Sequence, residues 1–393
     1  MYIFRAGVLG AGTMGAEIAL VVGANGLPVL LKDVDQSMLD KGMEHVRAIF
    51  RRRVAKGAMG EADAEKAMSL ISPTLAYDRF HDVDIVIEAV PEQIAIKKAV
   101  LCELEAVVPE TTIFASNTSA LSISELASAT GRSARVIGMH FFNPAHIMRL
   151  VEVVPGIETS AETTEDVTAF ARSLGKTPVV VRECPGFLVN RLLFPYLNEA
   201  THCLQEGVAA DEIDAAAVSF GMPMGPLALM DMLGLDVCLH ISDYLYTQYG
   251  SRMETPRLYR ELVAAGRLGQ KTGRGFRPET EGGRAVGGGA GDFSAERLIY
   301  PLINEAVWAL QEHIAPPHDI DLAMVAGAGM TFRGSRKGPL AIADEIGLDA
   351  VLEGLERLGD RHGDRFRPAW LLRTKVSAGH LGVKAERGFH EYA

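Results

Sequence analysis

The chain has 393 residues and a formal charge of −11, with 48% hydrophobic and 23% charged residues. That balance excludes a disordered or fibrous chain and disfavours non-specific binding to nucleic acid or anionic lipid, so any anionic ligand must be held by local groups. No apolar run reaches the roughly 18 to 20 residues of a membrane span, and the N-terminus shows no basic segment leading into an apolar stretch, so the expected location is the cytoplasm.

In chain order, the first half alternates short β-branched runs with helical patterns, the signature of βαβ units and a parallel sheet. The expected strands are Ala6 to Leu9, Val29 to Asp33, Ile85 to Ala89, Ile113 to Ser116 and Arg135 to Met139. Leu150 to Val154 and Pro178 to Val181 follow, separated by a helical stretch from Thr163 to Leu174. From Cys184 onward the apolar residues recur at helical spacing. The four cysteines, Cys102, Cys184, Cys203 and Cys238, lie far apart and form no metal-binding spacing, so neither a disulfide nor a metal is expected.

The helical half contains a repeat. Arg191 to Glu206 (RLLFPYLNEATHCLQE) matches Arg297 to Glu312 (RLIYPLINEAVWALQE) at nine of sixteen positions. The register returns where Gly225-Pro226-Leu227-Ala228 parallels Gly338-Pro339-Leu340-Ala341, after an insertion around Phe332 to Lys337. The expected organisation is an α/β fold: a Rossmann-type doubly wound sheet over residues 1–182, then two tandem all-α domains over 183–277 and 294–393. The Gly-rich segment 278–293 would join them.

Gly10-Ala11-Gly12-Thr13-Met14-Gly15 follows the first strand and opens a helical stretch. In that context the first glycine permits a tight turn, the second lets a pyrophosphate approach the backbone, and the third lets helix and strand pack closely. Asp33 ends the second strand, where a carboxylate accepts hydrogen bonds from an adenosine ribose; it would repel a 2′-phosphate, which favours NAD over NADP. FAD-binding folds share the fingerprint and stay open as an alternative.

A nicotinamide enzyme that oxidises an alcohol needs a base for the hydroxyl proton, and histidine suits that task near neutral pH. His140 ends an expected strand, at the edge where open α/β sheets bind ligands. Asn143 supplies an amide three residues on, and Glu152 lies on the next β-like run, where a return strand could place it beside His140 to orient the imidazole. Without such a strand pair, His140 reads as a packed histidine and Glu152 as a solvated edge residue.

At this point the sequence resembles the L-3-hydroxyacyl-CoA dehydrogenases of fatty-acid oxidation. The likeness is carried by VLGAGTMGAEIA (Val8 to Ala19), DIVIEAVPEQIAIKK (Asp84 to Lys98), FASNTSALSISELA (Phe114 to Ala127) and GMHFFNPAHIMRLVEVVP (Gly138 to Pro155). It continues through PGFLVNRLL (Pro185 to Leu193), GMPMGPLALMDMLGLD (Gly221 to Asp236) and KTGRGF (Lys271 to Phe276), so it covers essentially the whole chain.

The resemblance implies reversible NAD-dependent oxidation of (S)-3-hydroxyacyl-CoA to 3-oxoacyl-CoA, without a metal. His140 would be the general base, Glu152 its orienting partner, Ser119 a contact shared by cofactor and substrate, Asn143 a ligand-holding amide, and Asn190 a substrate contact reaching across an interdomain cleft. Glu92, Lys97 and Lys271 match positions near the cofactor, and Arg53, in the run Arg51-Arg52-Arg53, is the preferred contact to the CoA phosphates, although Val46 stands where the family often has a serine. On their own, a helix lysine or glutamate usually reads as a solvated side chain, and Ser119 and Asn190 as turn or cap residues.

The second helical copy has Glu296 at the position of Asn190 and Lys384-Ala385-Glu386 in place of Lys271-Thr272-Gly273, so it reads as structural. Such a copy could replace the dimer contact of single-copy family members, which predicts a monomer with a homodimer as the alternative, and a separate hydratase or thiolase as a further partner. Two other readings stay open: a related hydroxy-acid dehydrogenase acting without CoA, such as a gulonate dehydrogenase resembling lambda-crystallin, and a non-catalytic NAD-binding protein.

Overall fold

The computed structural model describes residues 2–277 and 293–392, and within them no helix is long and apolar enough to cross a membrane. The expected connection at 278–293 lies, apart from Phe293, outside the described residues. The chain divides into two compact units, Met1–Phe187 and Leu188–Ala393. The first unit thus extends five residues past the expected boundary, and the two helical copies form one compact unit.

The first unit runs β1 (Ala6–Leu9), α1 (Thr13–Ala24), β2 (Val29–Lys32), α2 (Gln36–Ala55), α3 (Glu61–Ser69), β3 (Ile71–Thr74), β4 (Ile85–Glu88) and α4 (Ile94–Glu105). It continues with β5 (Ile113–Ser116), α5 (Ile123–Ala127), β6 (Val136–Phe141), β7 (Leu150–Pro155), α6 (Ala161–Ser173) and β8 (Thr177–Val180). The eight strands make one sheet in the order β3-β2-β1-β4-β5-β6-β7-β8. All neighbours pair in parallel except β6 and β7. The central strands β1, β2, β4 and β5 are buried at every residue, as strands of a sheet covered on both faces must be.

Strand order reverses between β1 and β4, and that switch point is where an open α/β sheet forms a ligand crevice beyond the carboxyl ends of its strands. Helix α1 is buried along Gly15 to Gly23, which explains its apolar sequence on every side. Helix α2 is amphipathic and starts where the Asp35 carboxylate accepts a hydrogen bond from Ser37 N at 2.7 Å. Leu39, Met43, Val46, Ile49 and Phe50 of α2 face the core.

The second unit runs α7 (Val189–Gln205), α8 (Ala210–Phe220), α9 (Pro226–Leu233), α10 (Leu235–Tyr249) and α11 (Arg257–Ala264). The same series then recurs as α12 (Ala295–Gln311), α13 (Pro317–Ala328), α14 (Pro339–Ile346), α15 (Leu348–His362) and α16 (Trp370–Ser377). Repetition reaches individual bonds: Asp214 accepts from Leu227 N at 2.9 Å as Asp321 does from Leu340 N at 2.8 Å. The Asn198 amide donates to Glu254 O at 3.2 Å as that of Asn304 does to Arg367 O at 2.9 Å.

One feature adds to the expected helices. The helical half is not purely α, because the insertion after α13 folds into a two-stranded antiparallel hairpin, β9 (Thr331–Phe332) and β10 (Ser335–Arg336). Its Thr331 N donates to Gly221 O at 3.0 Å, and Phe332 packs beside Phe220 with ring centres 5.2 Å apart. The insertion therefore gains its strand geometry from the end of α8, which no local sequence pattern encodes.

Candidate active site

The glycine turn is built for close approach. Gly10 has φ +92° and takes a conformation that L side chains rarely adopt, and a Cβ there would lie 2.6 Å from Ala89 O. A Cβ on Gly15 would meet Gly10 O at 1.8 Å, so only glycine allows α1 to pack on the turn. A Cβ on Gly12 would meet nothing within 4 Å: it would point into open space at the start of α1.

No side chain caps the first turn of α1. Its N–H groups and the helix dipole therefore face open space into which a Gly12 side chain would project, and the turn fits a pyrophosphate. Asp33 follows β2, and its Oδ2 accepts from Ala11 N at 2.7 Å while Oδ1 accepts from Val34 N at 2.7 Å. Oδ1 also accepts from Asp35 N at 3.2 Å, so Oδ2 is the oxygen with a lone pair left for a ribose hydroxyl. Thr13 is exposed, Met14 half-buried and Ala11 buried beneath the turn.

Beyond β4 and β5 lies a charged network. The Lys97 ammonium, 1% exposed, donates to Glu88 Oε1 at 2.7 Å and lies 3.1 Å from Glu92 Oε2. Glu88 also accepts from Val90 N and from Ser116 Oγ, so the buried pair has its polar atoms satisfied, without which it would be strongly destabilising. Glu92 accepts from Thr118 Oγ1 at 2.5 Å and from Ser119 N at 2.9 Å. Burial pushes the Glu92 carboxyl up, but Lys97 and these hydrogen bonds outweigh it and hold it below the usual range. Glu92 and Lys97 thereby fix the backbone of Ser119 at the carboxyl edge of the sheet.

His140 and Glu152 meet as the expected return strand would place them. They are direct partners in the antiparallel β6–β7 register, and His140 Nδ1 lies 2.7 Å from Glu152 Oε2. Glu152 is fully buried and His140 is 5% exposed. The imidazole is walled by Phe142 and Phe187, with ring centres at 4.6 and 5.8 Å. With Nδ1 turned to the carboxylate, Nε2 is the nitrogen left to exchange a proton with a ligand.

Sequence reading missed Asn117. Its Oδ1 accepts from Phe141 N at 2.8 Å and its own N–H donates to Glu88 O, so it ties the ends of β4, β5 and β6 together beside His140. The available signal was its place one residue beyond a buried strand. Asn143 is the second residue after β6 and precedes Pro144 through a cis peptide bond.

The remaining expected residues belong to other elements. Asn190 is the second residue of α7, and Lys271 pairs with Asp236; both belong to the helical unit. Arg53 is half-buried near the end of α2 and has no ion pair among the described residues, while neighbouring Arg51 pairs with Glu44. Val46 is fully buried in the core and presents no polar group.

Residues 5–184 match the family model described as the NAD binding domain of 3-hydroxyacyl-CoA dehydrogenase, and residues 186–278 and 293–392 match the C-terminal domain of the same enzyme. The chain belongs to the 3-hydroxyacyl-CoA dehydrogenase family. The C-terminal family domain thus matches twice, in agreement with the repeat, and members of this NAD-dependent oxidoreductase family use the cofactor that the glycine turn and Asp33 fit.

The chain is 38% identical over 397 residues to the fatty acid oxidation complex subunit alpha of Shewanella amazonensis, covering 96% of this chain and 56% of that protein. It is 40% identical to a protein of the same description from Idiomarina loihiensis, covering 55% of it. The chain therefore spans about half the length of the curated relatives it matches. Among solved structures, 3-hydroxybutyryl-CoA dehydrogenase from Escherichia coli superposes with a TM-score of 0.86 at 30% identity, covering 96% of this chain and 99% of that one. (S)-3-hydroxybutyryl-CoA dehydrogenase from Ralstonia eutropha superposes with a TM-score of 0.69 at 42% identity, covering 71% of this chain and all of that one.

Proposed function

We propose that the protein oxidises (S)-3-hydroxyacyl-CoA to 3-oxoacyl-CoA, reversibly, with His140 as general base and Glu152 as its orienting partner. The observation that carries this reading is the buried His140–Glu152 pair at 2.7 Å, at the carboxyl edge of a dinucleotide-binding sheet. The (S) configuration is supported by the Ralstonia eutropha protein, whose whole length aligns with this chain.

NAD, when bound, supplies the acceptor for the C3 hydride. The chain's own residues do the rest. His140 Nε2 accepts the hydroxyl proton as the C3–H bond breaks and returns it in the reverse direction. Glu152 holds Nδ1 so that Nε2 starts as the acceptor, and its charge stabilises the imidazolium as it forms. The Phe142 and Phe187 rings limit water around the imidazole, which strengthens that electrostatic effect. Ser119, whose backbone is fixed by Glu92, and Asn143 are the proposed hydrogen-bonding contacts to the ligands.

The reading is tested by following NADH consumption with acetoacetyl-CoA and, in parallel, with free acetoacetate and with NADPH. Turnover that requires both the CoA ester and NADH is the expected result. Turnover of free acids at equal efficiency would transfer the protein to the dehydrogenases that act without CoA.

A further inference from the structure

The helical unit contains a cavity of about 720 Å³ whose lining includes Tyr249, Arg252, Trp308, Asp364, Arg367 and Trp370. The chain has two tryptophans, and both line this cavity. Trp370 is 71% exposed, an unusual cost for so large an apolar ring. The Trp308 indole N–H is buried and has no hydrogen-bond partner among the described residues, so it lacks an acceptor. Arg252 is stacked between the Tyr249 and Trp308 rings at 5.1 and 4.7 Å and held by Glu305 at 3.2 Å and Glu312 at 3.7 Å, which fixes its guanidinium as a rigid wall. Arg367 is exposed and has no ion pair among the described residues.

The repeat shows what is special here. In the first copy the positions of Trp308, Arg367 and Trp370 are held by His202, Glu254 and Arg257. At these three positions the second copy has two flat apolar faces, and a cation where the first has a carboxylate. Flat faces bind planar rings by stacking, and guanidinium groups bind phosphate through paired N–H donors.

We propose that this cavity is a binding site for a phosphorylated adenosine, with the base against Trp370 and the phosphate on Arg367 and Arg252. Asp364 accepts from the ribose hydroxyls. The volume lies in the range of small-molecule sites. The second helical copy then has a role of its own, independent of the dehydrogenase chemistry.

The two tryptophans make intrinsic fluorescence a direct reporter of this site. Titration of the full chain with ADP and with adenosine 3′,5′-bisphosphate is expected to give a saturable change in emission, with affinity weakened about tenfold or more in Arg367→Glu. Trp370→Ala, at an exposed position and with Trp308 retained as reporter, is expected to weaken it similarly and guards against misfolding of the first variant. Tighter binding of ADP would indicate a free nucleotide, and tighter binding of the 3′,5′-bisphosphate the nucleotide end of CoA; either supports the site. No saturable change with either nucleotide, or the same midpoint in both variants as in the parent, would overturn it.

Discussion

Arg191 of α7 donates to Glu305 of α12 at 2.7 Å, and its counterpart Arg297 of α12 donates to Glu199 of α7 at the same distance. The exchange continues outward, with Arg191 reaching Glu312 at 2.8 Å and Arg297 reaching Glu206 at 2.7 Å. Such reciprocity is the mark of a two-fold contact between identical surfaces, here realised between two copies within one chain. We propose that this contact takes the place of a subunit interface, and the predicted state is a monomer. Sedimentation equilibrium should show a single species of 42.3 kDa. A tight dimer through α7 at low concentration would contradict the assignment.

The same contact sets a stability prediction. Both arginines and both inner glutamates are buried, and each inner glutamate has a second cation, Arg365 at 2.7 Å for Glu199 and Arg252 at 3.2 Å for Glu305. Arg297→Met removes the charge-assisted hydrogen bonds to Glu199 and Glu206 while Arg365 still compensates Glu199, so it should cost about 1.5 to 3 kcal/mol, whereas Arg297→Met with Arg365→Met leaves the buried Glu199 charge unpaired and should cost about 3 to 5 kcal/mol or more. Urea denaturation of the single and double variants checks this.

Gly12 and Gly15 should respond in opposite ways to the same change. Gly12→Ala places its methyl in open space, so the melting temperature should stay near that of the parent while NAD affinity falls about tenfold or more. Gly15→Ala drives its methyl to within 1.8 Å of Gly10 O, so the fold should lose about 1 to 3 kcal/mol. Calorimetric titration with NAD and thermal melting separate the two.

Glu17 of α1 gives a pH prediction. It is 3% exposed, and its carboxylate lies 3.0 Å from His45 Nε2 and 2.9 Å from His146 Nδ1. Lys176 lies nearby, donating to Met148 O at 2.8 Å, with its ammonium pushed down to about 8 by burial against the opposing pull of Glu17. Burial pushes the Glu17 carboxyl up, but the two histidines outweigh it and the net position is below the ordinary range. A carboxyl lowered on folding contributes stability that is present above its unfolded pKa of about 4.3 and is lost as pH falls through the folded value. Glu17→Gln should flatten the acid limb of the stability curve in that window, and an unchanged limb would show that the clasp contributes nothing there.

Much of this could be read directly from the chain. The β-rich runs holding His140 and Glu152 suggest a strand pair, whereas the register that sets the two residues opposite each other is seen only in the sheet. Strand β3 escaped notice because Ile71-Ser72-Pro73-Thr74 contains a proline and only one strongly apolar residue, which a sheet edge tolerates and an interior strand does not. The Glu17–His146 contact joins residues 129 positions apart, and Asn117 reaches Phe141 across 24. Contacts of that kind depend on how the strands and helices are placed in space and leave no local pattern to read.

The most direct test of the account is the rate of acetoacetyl-CoA reduction by NADH in His140→Ala, with NADH binding measured on the same sample. Loss of general base catalysis should lower kcat by about 10²- to 10⁴-fold while the NADH dissociation constant stays within about twofold, because His140 is assigned to the proton and not to holding the dinucleotide. Turnover in His140→Ala within a few-fold of the parent would contradict the assignment of the buried His140–Glu152 pair as the catalytic centre.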